Sequence, residues 1–214
     1  METGAKYKPD VTFYDAKKSL PEERVTSFQQ IELFVEFKRG PTSDPFYRDN
    51  KIPFQKSFNA TCASRGQMVL YSTRLQMYQF RTCVFSVGIF GNVARIFRWD
   101  RAGAIMSEPI MYSEKGNREL VEFFYRFNLA DRAQRGWDQT VSDATPEETT
   151  AFDQAIKTVV GEARNKLLEK LLESVGDRVR YSRKKVDVIH PSGGQRSYIV
   201  GRSIVAPGSP TGRC

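Results

Sequence analysis

Ile31-Glu32-Leu33-Phe34-Val35-Glu36-Phe37-Lys38 is the stretch on which the reading of this 214-residue chain turns. Its apolar and β-branched content is that of a largely buried strand, yet it closes on charged residues. Side chains alternate along a strand, so Glu36 and Lys38, two apart, point to one face. Upstream, Val11–Tyr14 reads as another strand, with polar, turn-like Lys17–Val25 between the two. Downstream, residues 39–60 are irregular and contain Gly40-Pro41, Asp44-Pro45-Phe46 and Ile52-Pro53-Phe54. A loop longer than about 15 residues in a compact domain is commonly a functional segment, a lid or a disordered one.

Beyond that loop the pattern changes to helical spacing. Ser64-Arg65-Gly66-Gln67 fits a capping box and predicts a helix starting near Ser64, with Met68, Tyr71, Leu75 and Tyr78 recurring along it. Thr82–Phe90, a Gly91-Asn92 turn and Val93–Trp99 predict a hairpin, and Asp100-Arg101-Ala102-Gly103 a second turn leading into Ala104–Tyr112. A helix is predicted after Asn117, with Leu120, Val121, Phe124 and Phe127 on one face, and residues 129–144 read as loop. Thr145-Pro146-Glu147-Glu148 is a capping box with Pro at the first helical position. The helix it opens is predicted to run to Val175, with Phe152, Ile156, Val159, Ala163, Leu167 and Leu171 as its buried stripe and Gly176 closing it. Val179–His190 and Arg196–Val205 read as two strands around the Ser192-Gly193-Gly194 turn.

Composition narrows the chemistry. Hydrophobic residues make up 40% and charged residues 27%, which fits a globular protein and not a disordered one. No run approaches the roughly 18 apolar residues of a membrane helix, and no apolar run follows the N-terminal residues, so neither a span nor a secretory signal is expected. Cys62, Cys83 and Cys214 are too few for a disulfide framework and lack metal-ligand spacing, which points to a reducing compartment, cytoplasm or nucleus. His190 is the only histidine, and it lies where a strand ends in a turn; catalysis built on imidazole is therefore disfavoured against carboxylate, Lys and Arg chemistry.

The net charge of +8 is uneven: residues 1–60 carry ten cations against nine anions, 61–140 eleven against seven, and 141–214 twelve against nine. Ten of the eleven middle cations are Arg. Arg81, Arg95, Arg98 and Arg101 lie among Phe80, Phe85, Phe90, Phe97 and Trp99. Guanidinium forks suit phosphates and rings suit bases, so the four arginines are candidate nucleic-acid or phosphate contacts. The competing and favoured reading is a sheet with aromatics on its core face and arginines facing water or acidic neighbours.

Pro9-Asp10, followed 26 residues later by Glu36-Phe37-Lys38, resembles the signature of the PD-(D/E)xK nuclease superfamily. In that arrangement Asp10 and Glu36 would hold a divalent cation, Mg2+ preferring hard oxygen ligands, while Lys38 positions a water or offsets phosphate charge. Gln67 and Tyr71 form a Gln-x-x-x-Tyr like that of one branch of the superfamily, and join Lys38 as candidate catalytic residues. The order strand, Glu-x-Lys strand, helix, strand also resembles the family core. The core's preceding helix is not expected here, since Pro9 lies only eight residues from Met1. Each piece has a plainer account: Gln67 belongs to the capping box, and Glu-x-Lys also occurs as a surface charge pair.

A second resemblance covers nearly the whole chain. Val35-Glu36-Phe37-Lys38, Asp44-Pro45-Phe46, Arg65-Gly66-Gln67, Tyr71, Phe80-Arg81-Thr82-Cys83-Val84-Phe85-Ser86, the block from Ala94 to Gly103 and that from Arg135 to Val141 are similar to the N-terminal half of the fungal-type protein kinases. Ser209–Cys214 resembles a further family block cut short. The sequence has no His-Arg-Asp loop, no Asp-Phe-Gly motif and no Gly-rich loop before a Val-Ala-x-Lys strand. The resemblance therefore implies a non-catalytic docking or regulatory portion of such a kinase, with ATP bound by the parent protein's kinase domain and not by this chain. The expected fold is α/β (α+β): a restriction-endonuclease-like mixed sheet over residues 1–144, a connecting helix over 145–177, and the incomplete start of a kinase small lobe over 178–214. Strands of that last segment are expected to lack partners and to be poorly ordered. The expected partner is the kinase catalytic domain in cis, with nucleic acid as the alternative and no membrane.

Overall fold

The computed structural model describes residues 8–17, 26–47, 55–162 and 183–201. The chain divides into two compact units, one through Asp138 and one over Gln139–Gly208. Both mix α and β structure.

In the first unit β1 (Val11–Tyr14), β2 (Ile31–Lys38), β3 (Val84–Phe90), β4 (Val93–Trp99) and β5 (Ala104–Met106) lie in that order across one sheet. β1 and β2 are antiparallel, β2 and β3 parallel, and β3, β4 and β5 antiparallel. The parallel pair requires a crossover, which α1 (Asn59–Tyr78) supplies. Alternation then gives the sheet two apolar faces. Phe34, Val84, Phe90, Phe97 and Trp99 pack with Met68, Tyr71 and Leu75 of α1. Leu33, Val35, Val87, Ile89 and Ala94 pack with Leu120 of α2 (Glu119–Leu129) on the other side. This sandwiching explains why β2 reads as almost continuously apolar.

The β3–β4 hairpin turns at the expected Gly91-Asn92, where Gly91 has φ 64° and its N–H donates to Lys38 O at 3.0 Å. The helix expected from Ser64 begins instead at Asn59. Ser64 is buried inside it and donates to Ala60 O at 2.9 Å, a back-bond to the preceding turn and not a cap.

The second unit contains β6 (Val141–Asp143), α3 (Pro146–Glu162), β7 (Lys184–Ile189) and β8 (Gln195–Val200). The capping box at Thr145 forms: its Oγ accepts Glu148 N–H at 3.2 Å and its N–H donates to Glu148 Oε2 at 2.9 Å. Two expectations are corrected. Val141–Asp143 is a strand and not loop, and it pairs with β7, whose other edge pairs with β8. The strand expected to lack partners therefore has one on each side over Lys184–Val186. The expected continuation of α3 to Val175 and the strand residues 202–205 lie outside the described residues. So do residues 179–182, and the Ser209–Cys214 block. Among the described residues no helix is long and apolar enough to cross a membrane.

Candidate functional site

Glu36 and Lys38 emerge on the α1 face of β2, at the end of the strand. Gln67 and Tyr71, four apart on α1, face them across one helical turn. Asp10 comes from the residue before β1, whose register sets Val11 opposite Val35 and so brings Asp10 level with Glu36. The five residues singled out by motif are thus gathered by three elements.

Lys38 Nζ donates to Glu36 Oε1 at 2.6 Å and to Gln67 Oε1 at 2.6 Å. Gln67 is therefore a partner of the lysine in the middle of a helix and does not cap it. Asp10 Oδ2 accepts the N–H of Phe37 at 2.8 Å, which ties the start of β1 to the end of β2. Tyr71 donates its hydroxyl to Lys8 O at 3.0 Å, holding the segment just before Asp10. Gly88 lies beside Glu36 in the parallel register, and a Cβ there would come within 2.7 Å of the Phe90 ring, so no side chain fits on that flank.

Burial dominates the electrostatics. Glu36 is 2% exposed, and desolvation raises its carboxyl above the ordinary 4.5, with the Lys38 bond and charge opposing and the nearby Asp10 carboxylate adding to the rise. Tyr71 is pushed up to about 12, first by burial and then by the Glu36 charge. The Glu36 oxygen that Lys38 does not hold, Oε2, is buried without a hydrogen-bond partner. The Asp10 backbone N–H reaches the Glu36 carboxyl as a weak hydrogen-bond donor, outside good hydrogen-bond geometry to Oε2, and lowers its pKa, the least of these effects.

The candidate arginines divide. Arg81 is 5% exposed; its NH2 donates to Glu32 Oε2 at 2.9 Å, its Nε to Gln79 Oε1 at 2.5 Å and its NH1 to Arg135 O at 2.9 Å. Trp137 Nε1 donates to the same Glu32 oxygen at 3.0 Å. Arg95 is 1% exposed, its Nε 3.1 and 3.0 Å from the two Asp44 oxygens and its NH1 and NH2 on Ser107 O and Tyr47 O. These two are internal and face acidic neighbours, Arg95 on the same buried face of β4 as Phe97 and Trp99. Arg98 and Arg101 are exposed, Arg98 beside Asp100 at 3.4 Å. Glu32 and Asp44 were not singled out from the sequence; a buried arginine needs a distant acid, and nothing local marks which one. His190 sits in the β7–β8 turn with its Nδ1 2.6 Å from Ser192 Oγ.

A divalent cation is the group the superfamily resemblance implies here. Among the described residues no three His, Cys, Asp or Glu side chains converge. Glu36 and the Gln67 amide oxygen meet on Lys38, and the Asp10 charge lies near enough to act on Glu36; Mg2+ is commonly held by one or two carboxylates with waters completing its shell. The unpartnered Glu36 Oε2 fits such an ion; the ammonium on Oε1 competes with it. Comparison with known proteins returned no matching family model, no matching curated protein and no matching solved structure.

Proposed function

We propose that the chain is the N-terminal, non-catalytic part of a fungal-type protein kinase, its first unit a nuclease-like fold that serves as a docking or regulatory module for a kinase domain in cis. The observation that carries this reading is the Lys38 ammonium bridging Glu36 and Gln67, which neutralises the acidic motif from within. Support also comes from where the family-like blocks fall. Asp44, Arg81, Arg95 and Trp137 serve interior pairs, so the residues that carry the resemblance hold the fold together. The strand, Glu-x-Lys strand, crossover helix and parallel strand agree with a nuclease-like core.

A second reading, a metal-dependent nuclease, is favoured by the unpartnered Glu36 Oε2 beside Asp10. In it Asp10 and Glu36 would hold the ion, which supplies charge neutralisation and an activated water, while Lys38 orients the scissile phosphate. A pure nucleic-acid-binding module has less behind it, because two of its four arginines are internal.

Calorimetric titration of Mg2+ and Mn2+ into the purified chain, with Glu36→Ala alongside, separates the readings. The docking reading expects no binding in the wild type, and no binding of an ATP analogue. Binding that vanishes in Glu36→Ala, accompanied by cleavage of DNA, establishes the nuclease in its place.

A further inference from the structure

We propose that the outer edge of β1, with the flank of α2 that overhangs it, is an association surface for a second copy of this chain, joining two sheets through β1. This goes beyond the docking reading and does not depend on it. β1 ends the sheet order, and among the described residues no strand pairs with its outer edge. Val11 and Phe13 are nonetheless exposed apolar side chains. Both lie on the α2 side, since Val11 stands opposite Val35 of that core and Phe13 stacks on Phe124 at 5.5 Å. Phe123 and Phe127 reach Phe85 of β3 instead. With 3.6 residues per turn, Val121 and Tyr125 follow Phe124 around α2 on the side away from Phe123 and Phe127. That flank points past β1, and both side chains are largely open to solvent. Apolar groups from two layers thus converge at one free edge.

The strand is complementary to itself. The Phe37 N–H points toward β1, where it donates to Asp10 Oδ2, and by alternation so do those of Val35 and Leu33. Their partners Val11 and Phe13 therefore turn their backbone groups inward to β2, and Thr12 turns its N–H and C=O to the free edge. A two-fold axis at Thr12 sets this residue against its own copy in a hydrogen-bonded pair. It sets Val11 against Phe13 of the second copy in the non-hydrogen-bonded positions, where side chains come closest. Moved to Phe13, the axis would set Val11 against Asp15; moved to Val11, it would set Phe13 against Pro9, outside the strand. A two-fold normal to the sheet keeps both α2 helices on one side and turns their Val121–Tyr125 flanks toward each other. A second copy therefore matches both layers, whereas an isolated strand matches one. The α2 charges next to Val121 and Tyr125 pair with each other, Glu122 with Arg126, so the patch offers no unmatched sign to an acidic or basic partner.

Sedimentation velocity of the full chain over a concentration series tests this, as wild type, Val11→Lys, Tyr125→Glu and Ile189→Glu. The wild type is expected to form a dimer with a Kd of about 100 μM or tighter, and Val11→Lys and Tyr125→Glu each to weaken it at least about tenfold. Ile189→Glu, on the exposed β7–β8 hairpin, is expected to leave the dimer unchanged. Circular dichroism checks folding; should Val11→Lys unfold, Tyr125→Glu, exposed on the helix, is read instead. Salt screens the repulsion between two chains of net charge +8, so the dimer is expected to tighten as salt rises. Thr12→Cys is expected to form a disulfide between the two substituted positions on mild oxidation, located by mass spectrometry, because the roughly 5.5 Å Cα spacing of a hydrogen-bonded pair is within disulfide reach. A wild type that stays monomeric overturns the proposal and leaves the docking reading standing. So does a dimer that salt dissolves, one that only Ile189→Glu weakens, or one that Thr12→Cys does not cross-link.

Discussion

The first unit holds acid–base pairs of two kinds, and the contrast lies in what their oxygens have left over. In Asp44–Arg95 both carboxylate oxygens meet the guanidinium, Oδ1 also takes the Phe46 N–H, and the other arginine nitrogens donate to backbone carbonyls. In Glu32–Arg81 the shared oxygen accepts from both Arg81 and Trp137. Lys38–Glu36 is shorter, at 2.6 Å against 2.9 and 3.0 Å, yet one Glu36 oxygen has no partner and the lysine is itself partly exposed. A planar fork distributes fixed donors over several acceptors, whereas an ammonium is a point charge on a flexible stem. Fully paired, a buried acid becomes a structural fastener; half paired, it remains available for chemistry.

Arg95→Met is the strongest way to break this contrast. It leaves Asp44 as an uncompensated buried charge, and removal of one partner of such a pair costs about 3–5 kcal/mol. Chemical denaturation is expected to show that loss, with much of it recovered when Asp44 is also replaced by Asn. A loss below about 1 kcal/mol would place Asp44–Arg95 with exposed surface pairs, and the distinction between fastener and site would fail.

The same contrast explains what the sequence could reveal. β2, the Gly91-Asn92 hairpin, most of the apolar face of α2 and the Thr145 box are set by neighbours within a few residues and were legible, but Val121, expected on the α2 face, is 70% exposed and Phe123 packs there in its place. The start of α1 was not legible. Ser64 and Gln67 have the spacing of a cap, but Thr61, Ser64, Met68, Tyr71 and Leu75 form one buried stripe at helical spacing. Counting small polar residues as part of that stripe extends the helix back to Asn59. Asp10, Glu36, Lys38, Gln67 and Tyr71 were brought together by resemblance to the superfamily signature; spacing alone places only Glu36 with Lys38 on one strand face and Gln67 with Tyr71 on one helix face. Their bonding was not legible, since whether Gln67 turns to the backbone or to Lys38 depends on how α1 crosses β2. The acids for Arg81 and Arg95 lie 49 and 51 residues away in sequence, beyond any local rule.

Trp137→Phe sharpens the contrast at lower cost. The ring is kept while the Nε1–H donated to Glu32 Oε2 is lost. Hydrogen bonds to charged groups contribute about 1.5–3 kcal/mol, and a loss of that size is expected in denaturant unfolding. Arg81 still holds the oxygen, so the pair survives. A loss larger than that of Arg95→Met would mean that the indole, and not the guanidinium, is what fastens Glu32.

Glu36→Gln gives the smallest effect, because the Lys38 ammonium opposes the burial, but its sign with pH is decisive. Burial raises the folded Glu36 carboxyl above its ordinary 4.5. Between the two values the folded chain binds more protons than the unfolded chain, so Glu36 contributes stability that is present below pH 4.5 and is lost as pH rises through the folded value. The variant does not titrate there. Measured by chemical denaturation from pH 4 to 7, the stability of wild type relative to Glu36→Gln is expected to fall as pH rises, then level off. A relative gain with rising pH is the behaviour of a carboxyl held below its ordinary value. It would mean that Lys38 outweighs burial, that Glu36 is fixed as an anion by its partner, and that the Glu36–Lys38 pair is as firm as the arginine pairs.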